Sequence, residues 1–250
     1  MLLDGQNYNY YMNQVKHAKT DNDKGRISES VAGYLFMKYL LKEYQQMLFN
    51  DTAEHQMYGD FIIYDYKSLS STLEDRKHMS ITNTPVALVD DYYFLECKTS
   101  SVNSKNQEAQ FFIPMRELLA NDNNRIPYRQ GNTGTSIAWG YNNTQPRILT
   151  TYCIKKQRLY VFNNWQDLCL EAKKQYHRAL AGEKLYLPWN HQPKSPEYDN
   201  KTGKHKEIII DDVPYKKYSD CMILRLEQMT HDFIIQYDID VYDVDVKLIS

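Results

Sequence analysis

The chain has 250 residues, of which 42% are hydrophobic and 25% charged, and this composition is that of an ordinary folded protein rather than a disordered one. Its formal net charge of -2 gives no global basic signature, so any positive charge that meets nucleic acid must be gathered locally. The N-terminal residues show no basic start followed by an apolar segment, and no apolar run is long enough to cross a bilayer, which disfavours secretion and membrane insertion.

The cysteine pattern and the chain length indicate which kinds of stabilising site and how many domains to expect. The four cysteines, Cys97, Cys153, Cys169 and Cys221, lie far apart and form no CxxC pair. This spacing argues against a zinc ribbon and a disulfide framework, and it favours a reducing cytoplasm. The length suffices for one substantial hydrophobic core, so we expect one domain over residues 1–250.

The clearest predicted helix covers residues 27–48 and follows a polar, turn-like run. Ser28 is its candidate N-cap, and Glu29 would then lie in the first turn. The apolar face of this helix is predicted from residues at helical spacing: Val31, Leu35, Tyr39 or Leu40, and Tyr44.

Strands are predicted after this helix. Residues 60–66 (DFIIYDY) follow Gly59 and are rich in aromatic and β-branched residues. A polar stretch over 67–84 has no clear periodicity and predicts a long loop. Residues 86–101 contain two strand-like pieces around the turn signal Asp90-Asp91. Glu96 and Lys98 lie at the end of the second piece.

The rest of the chain alternates helical, strand-like and loop patterns. The order of elements points to an α/β layer architecture with a mixed sheet. The predictions in chain order are a helix over 106–120, a Gly- and Asn-rich loop over 125–146, a hairpin over 148–163 turning near Lys156-Gln157, a helix over about 165–181, an extended surface loop over 182–206, and strand-like segments over 207–213 and 231–250.

A carboxylate and an ammonium group share one face of the predicted strand that ends near residue 98. Strand alternation places Glu96 and Lys98 on the same face, whereas the Cys97 side chain points away and only its carbonyl could be a ligand. Context selects Glu96, because it alone ends a strand that is preceded by another acid-bearing strand. The same acidic-x-Lys spacing recurs at Asp65–Lys67, Asp75–Lys77, Glu171–Lys173, Asp199–Lys201 and Asp245–Lys247.

Three features together resemble the core of the PD-(D/E)XK nucleases. They are Glu29 in the first helix, Gly59-Asp60-Phe61 at the start of a strand, and the run Glu96-Cys97-Lys98-Thr99-Ser100. The resemblance covers about residues 25–165. It implies an α/β fold with a restriction-endonuclease-like core, in which helices flank a mixed central β-sheet, and a C-terminal α/β extension over about 166–250.

The resemblance also implies the site chemistry. In that family the aspartate and glutamate bind Mg²⁺, the lysine orients or activates the attacking water, and the first-helix glutamate often completes the metal shell. These roles fall on Asp60, Glu96, Lys98 and Glu29, with the Cys97 carbonyl as a further ligand and Mn²⁺ able to replace Mg²⁺.

Several residues compete with or support this assignment. Gly59 replaces the proline of the nominal motif, and the long stretch between the two acids leaves Asp90 or Asp91 as a competing metal ligand, although both fit a plain turn. Gln110, on the predicted helix 106–120, occupies a place where some relatives carry a supporting glutamine. A purely structural reading also exists, in which Glu96 and Lys98 pair on an exposed sheet face.

Local basic clusters are the candidate DNA contacts, because phosphate binding needs Lys and Arg. Each cluster taken alone is more often a solvated surface, since charged residues mostly lie on protein surfaces. The clusters are Lys155, Lys156 and Arg158 at the hairpin tip, Arg125 and Arg129 before the glycine-rich loop, and Lys173, Lys174, His177 and Arg178 on a helix. The loop GNTGTS over 131–136 could also meet DNA, but it is not a Walker loop because no GK[ST] follows.

The resemblance implies a magnesium-dependent DNA endonuclease, and restriction-type (type II-like) double-strand cleavage is our first expectation. A prophage or mobile-element nickase or junction resolvase of the same fold is the alternative. The expected partner is DNA. A homodimer would supply two active sites for cutting both strands, and no membrane partner is expected.

Two other classes of protein are alternatives to a PD-(D/E)XK-like endonuclease. A histidine-metal nuclease would use Asn190, His191, Asn200 and His205, but the flanking hairpin and helix of such sites are not apparent. A non-catalytic interaction module would present an acidic strand face to a protein partner. The residues of that face are Asp238, Asp240, Asp243 and Asp245.

Overall fold

The part of the chain that the structure describes is mixed α/β, with two six-stranded sheets, a two-stranded sheet and few helices. The structure, a computed structural model, describes residues 31–43, 45–49, 60–65, 92–102, 105–127, 147–153, 155–193, 198–199 and 202–244. The helices of this part are α1 (31–39), α2 (Trp165–Leu180) and α3 (His231–Gln236), and a short 3-10 turn covers Leu226–Gln228.

The strands are numbered in chain order. They are β1 (Gln45–Phe49), β2 (Phe61–Asp65), β3 (Tyr92–Thr99), β4 (Ser101–Val102), β5 (Ala109–Ala120), β6 (Arg125–Pro127), β7 (Arg147–Cys153), β8 (Arg158–Phe162), β9 (Trp189–Pro193), β10 (Tyr198–Asp199), β11 (Lys204–His205), β12 (Glu207–Ile210), β13 (Val213–Arg225) and β14 (Ile239–Asp243).

The chain forms two compact units, each assembled from separate segments. Unit 1 comprises Met1–Thr99, Thr144–Asn164 and Asp238–Ser250, and unit 2 comprises Ser100–Asn143 and Trp165–Tyr237. The expectation of one domain with an extension beyond residue 165 stays a prediction.

Unit 1 is built on a sheet with the strand order β1-β2-β3-β7-β8-β14. Among the described pairs of this sheet, β3 and β7 run parallel and the other neighbours run antiparallel. A parallel neighbour needs a crossover connection, which here contains residues of unit 2. The predicted mixed sheet is therefore confirmed.

Helix α1 packs on one face of this sheet. Its Val31 and Leu35 are buried in a cluster that also contains Phe61, Leu95 and Cys97. A Cβ atom at Gly33 would lie 2.8 Å from the Phe61 ring and 3.4 Å from the Cys97 Sγ. Since real Cβ contacts are longer than the first of these distances, glycine lets the helix approach the strands that carry the acidic residues.

The predicted helix over 27–48 is wrong at its C-terminal end. Helical structure ends at residue 39, and Gln45–Phe49 forms β1, which pairs antiparallel with β2. Gln, Met and Leu favour a helix locally, but pairing with β2 and burial of Met47 decide the conformation. Val31 and Leu35 are buried as predicted, Tyr39 is exposed, and Ser28, Glu29 and Tyr44 lie outside the described residues.

The predicted helix over 106–120 is also wrong, because Ala109–Ala120 forms the strand β5. Strand β5 pairs along its length with β13, and most of its residues are buried, while Phe112 and Pro114 are half-exposed and Arg116 is exposed. Its predominantly apolar sequence has no period that separates a strand from a helix. Pro114 was the sequence feature that argued against a helix in this segment. Proline is unfavourable inside a helix, and here it lies at the register shift between the two strands.

Further corrections concern segments without clear periodicity. The predicted surface loop over 182–206 contains β9, β10 and β11, and β9 adds to β13 in the unit 2 sheet. Residues 231–236 form α3 rather than a strand, and its first turn is capped because Phe233 N donates to Thr230 Oγ1 at 3.3 Å. The start of the predicted loop over 125–146 forms β6, while the GNTGTS segment lies outside the described residues.

Other predictions are confirmed. They are the strands β2 and β3, the β7–β8 hairpin, the helix α2 and the strand-like segments at β12 and β14. The first strand-like piece before Asp90 and the loop over 67–84 lie outside the described residues. All four cysteines are described and buried, and none forms a disulfide. No helix among the described residues is long and apolar enough to cross a membrane.

The phenol of Tyr237 should make unit 2 sensitive to alkali. Burial, together with the nearby carboxylates Glu171 and Asp167, raises the pKa of Tyr237 from about 10 to about 12. The unfolded chain therefore releases this proton first, so the stabilising contribution is complete below about pH 10 and is lost as the pH rises toward about 12. We expect the free energy of unfolding, measured in urea, to fall more steeply with pH in this range for the wild type than for Tyr237→Phe.

The matched control for this prediction is Tyr186→Phe, because Tyr186 is 72% exposed. The control variant should follow the wild-type pH dependence. Equal slopes for the wild type and Tyr237→Phe would contradict the raised pKa.

Candidate functional site

Strands β2 and β3 bring two acidic residues to the same end of their pairing. Their antiparallel register pairs Phe61 with Leu95. One step further along the register, Asp60 lies opposite Glu96. Asp60 lies at a bend one residue before β2, so the register places it next to Glu96 in sequence position at this end of the pair.

A hydrogen bond fixes Asp60 beside β3. The backbone N–H of Cys97 donates to Asp60 Oδ2 at 2.8 Å. The Cys97 side chain itself is fully buried in the cluster that packs against α1, on the face opposite to Glu96. The thiol therefore points away from the two carboxylates, and the proposed use of the Cys97 carbonyl as a metal ligand stays a prediction.

Lys98 shares the face of Glu96 and forms an ion pair with it, between Lys98 Nζ and Glu96 Oε1. Glu96 is only 6% exposed, whereas the Lys98 side chain is 29% exposed. These low exposed fractions do not fit the interpretation in which Glu96 and Lys98 form an ion pair on an exposed sheet face. A buried carboxylate loses much of its hydration, so a cation beside it has a large electrostatic effect.

One neighbour of Glu96 on this face is a buried apolar side chain. Phe94 precedes Glu96 by two residues, shares its face and is buried. Tyr92 precedes Phe94 by two residues on the same strand, but its side chain lies outside the described residues. Apolar walls strengthen electrostatic interactions because they exclude water.

Asp60 and Glu96 fit the ligand preferences of Mg²⁺. This cation takes oxygen ligands and is usually bound through one or two carboxylates and several waters. The first-helix Glu29 and the competing acids Asp90 and Asp91 lie outside the described residues, so their distances to this pair stay untested. Two described carboxylates are thus sufficient in number for a Mg²⁺ site that keeps several waters, but they do not form a complete protein cage.

Within the described ranges, no group of three or more His, Cys, Asp or Glu side chains could hold a metal ion. His191 lies on β9 and His205 on β11, and neither belongs to such a group. Asn200 lies outside the described residues. The described part of the chain therefore offers no geometry in favour of the histidine-metal alternative.

The candidate DNA contacts are distributed over both units. Lys155 and Lys156 lie in the turn between β7 and β8, and Lys155 is exposed. Because β7 runs parallel to β3, this turn lies at the end of the sheet toward which β3 passes from Glu96 to Lys98. Arg158 Nε pairs with Asp243 Oδ1 at 2.7 Å, and this contact raises the pKa of the guanidinium.

The remaining basic residues give less support for a DNA-binding surface. Arg125 is exposed at the start of β6 in unit 2, and Arg129 lies outside the described residues. On α2, Arg178 pairs with Glu183 at 2.7 Å, and Lys174 lies 3.7 Å from Glu171. These basic groups on α2 thus have acidic neighbours of their own. Lys173 and His177 are exposed on the same helix.

The acidic residues near the C-terminus make contacts within unit 1. Asp240 and Asp243 are exposed on the edge strand β14. Asn163 Nδ2 donates to Asp240 Oδ2 at 2.8 Å, and Asp243 pairs with Arg158. Asp238 is exposed with a positive φ of 49°, and Asp245 lies outside the described residues. At least two of these acidic residues therefore make side-chain contacts within unit 1.

Unit 2 contains a buried polar network that the sequence did not reveal. Asp220 Oδ2 accepts from Arg116 Nε at 2.9 Å and from Tyr176 Oη at 2.8 Å. Burial is the main cause that raises the pKa of Tyr176, followed by its hydrogen bond to Asp220. Gln110, expected on a helix, instead lies buried in β5 of the same unit.

Comparison with known proteins identifies no relative. No protein-family model matches the chain, and no curated protein or solved structure is significantly similar to it. The geometry of Asp60, Glu96 and Lys98 is therefore the basis for assigning a function to this protein.

Proposed function

We propose that the protein is a magnesium-dependent DNA endonuclease with a restriction-endonuclease-like core in unit 1. The observation that carries the proposal is the opposition of Asp60 and Glu96 at one end of the β2–β3 pair, with Lys98 on the same face. Two carboxylates and one ammonium in this arrangement suit phosphodiester hydrolysis, which requires a divalent cation and a positioned water.

Each residue has a separate role in the proposal. Asp60 and Glu96 hold Mg²⁺, and a carboxylate can accept several hydrogen bonds or ligands, so the Cys97 N–H occupies only part of the capacity of Asp60. Bound Mg²⁺ supplies neutralising charge for the phosphate and lowers the pKa of a bound water. The Lys98 ammonium donates hydrogen bonds that orient the attacking water. Glu29 is proposed as a further ligand.

The architecture of unit 1 supports the proposal. Helix α1 covers the face opposite to Glu96 and Lys98, and the antiparallel strands β1, β2 and β3 are continued by the parallel strand β7. Side chains on strands of a paired sheet are held more rigidly than side chains on loops, as a catalytic site requires.

DNA is proposed as the substrate, with the turn at Lys155 and Lys156 as a phosphate contact at the same end of the sheet. The most specific form of the proposal is restriction-type cleavage of both strands, for which a homodimer would provide two sites. Nicking or junction resolution by the same site is the alternative.

The test is cleavage of supercoiled plasmid by the purified protein in Mg²⁺ or Mn²⁺, with EDTA as the metal-free control. Glu96→Gln is the site variant. Glu117→Gln is its matched control, because Glu117 is also a buried strand glutamate paired with a lysine, Lys217, at 2.9 Å. We expect cleavage that is lost in EDTA and in Glu96→Gln and retained in Glu117→Gln.

The products distinguish the forms of the activity. Discrete linear fragments favour restriction-type cleavage, open circles favour nicking, and cleavage confined to four-way junctions favours resolution. Intact DNA in both metals with a folded wild-type protein contradicts the proposed function, as does equal loss of cleavage in both glutamate variants.

A further inference from the structure

Thr151 is a buried residue whose hydroxyl makes no hydrogen bond within the part of unit 1 that the structure describes. It has no exposed surface, and its Oγ1 has no hydrogen-bond partner within the described structure. The adjacent Thr150 differs, because its Oγ1 donates to the Tyr160 carbonyl at 3.2 Å. A buried polar atom without a partner costs stability, and valine would fill the same space without this cost.

The strand register places this hydroxyl beside Lys98. Strands β3 and β7 are parallel neighbours, and Lys98 is paired with Thr151. Paired residues on adjacent strands, about 4.8 Å apart, point to the same face. Thr151 therefore shares the face of Glu96 and Lys98, whereas Thr150 is paired with Cys97 and faces the core beneath α1.

We propose that Thr151 is a positioning residue for Lys98, an inference that rests on the proposed function. In the described state the Lys98 ammonium pairs with Glu96 Oε1. When Glu96 acts as a metal ligand, it shares that oxygen with a second cation, so its attraction for the ammonium weakens. Thr151 Oγ1 then accepts a hydrogen bond from Lys98 Nζ and keeps the ammonium at the site.

This arrangement gives the hydroxyl a function only in the metal-bound state. The ammonium carries three donors and no acceptor, so it needs an oxygen to hold it once Glu96 is engaged elsewhere. By linkage, a contact formed only in the metal-bound state must also strengthen metal binding. The hydroxyl should therefore affect both the affinity for Mg²⁺ and the rate of cleavage.

The test compares Thr151→Val, which removes the hydroxyl, with Thr151→Ser, which keeps it. Magnesium binding is measured by titration calorimetry without DNA, unfolding in EDTA by urea, and cleavage as separate kcat and KM values. For Thr151→Val we expect unchanged or increased stability in EDTA, a Kd for Mg²⁺ raised about tenfold, a kcat lowered about tenfold and an unchanged KM for DNA. Thr151→Ser should restore both the Kd and the kcat.

The matched control is Thr150→Val on the opposite face of the same strand. It should lose stability, because it removes the hydrogen bond to Tyr160, but its kcat and its Kd for Mg²⁺ should equal those of the wild type. If valine cannot be accommodated at 151, Thr151→Ala, which also lacks the hydroxyl, is expected to show the same losses.

The outcomes separate this inference from the proposed function. If the wild type binds Mg²⁺ and cleaves DNA while Thr151→Val does both equally well, the inference is overturned and the proposed function stands. A wild type that neither binds Mg²⁺ nor cleaves DNA overturns both. Losses in Thr151→Val that serine does not rescue overturn the inference, because they indicate a packing effect.

Discussion

Replacement of Lys98 by methionine is expected to lower kcat/KM for DNA cleavage about a thousandfold, since a side chain that positions or activates the attacking water contributes about 10²–10⁴ in rate. Methionine retains much of the aliphatic volume and removes the charge. It also leaves Glu96 buried without its ammonium partner, so the free energy of unfolding should fall by about 1–3 kcal/mol. Cleavage is measured at a temperature at which circular dichroism shows the variant to be folded.

Lys217→Met separates the effect on chemistry from the effect on stability. Lys217 pairs with the buried Glu117 at 2.9 Å, and the two lysine side chains are exposed to similar extents, 18% for Lys217 and 29% for Lys98. Both variants should lose comparable stability, but only Lys98→Met should lose cleavage. Parallel losses of cleavage in both variants would show that Lys98 acts through stability alone.

Replacement of Trp165 by alanine should have the largest effect on stability, a loss of about 3–5 kcal/mol, as for other large-to-small changes in closely packed cores. Trp165 is 1% exposed at the first residue of α2. Its ring meets the Phe111 ring edge to face, with centroids 5.8 Å apart, so the substitution removes an aromatic contact and leaves a cavity in unit 2.

Urea unfolding followed by far-ultraviolet circular dichroism measures this loss, because the substitution also removes a fluorophore. Leu170→Ala is the control on the same helix, since Leu170 is 43% exposed. It should change the stability by less than about 1 kcal/mol. A loss as small as this for Trp165→Ala would show that Trp165 is not part of a close-packed core.

Strands β5 and β1 adopt structures that their local sequences do not indicate. Most residues of β5 are buried, because the strand pairs with β13 and contacts α2, and its predominantly apolar sequence has no period that separates a strand from a helix. At β1, local helix propensity favours continuation of α1, but the hydrogen bonds to β2 outweigh it. Local patterns thus failed where long-range pairing decided the structure.

At the candidate site, local sequence patterns likewise placed some residues, and long-range strand pairing placed the others. Glu96 and Lys98 could be assigned to one face from the sequence, because alternation along a strand is a local property of the backbone. The opposition of Asp60 and Glu96 depends on the register of β2 with β3, which joins segments far apart in the chain. No local feature distinguished Thr151 from Thr150, because their roles depend on which neighbouring strand residue each one faces.

The sequence by itself determined the strands β2 and β3, the β7–β8 hairpin, α2 and the shared face of Glu96 and Lys98, since turn residues, caps and periodicity act within a few residues. Tertiary structure alone decided that β5 is a strand, that the chain divides into two units, and that Asp60 and Thr151 adjoin the face of Lys98. The physical reason is that strand pairing satisfies backbone hydrogen bonds between segments distant in sequence, and its register is set by the packing of whole sheet faces.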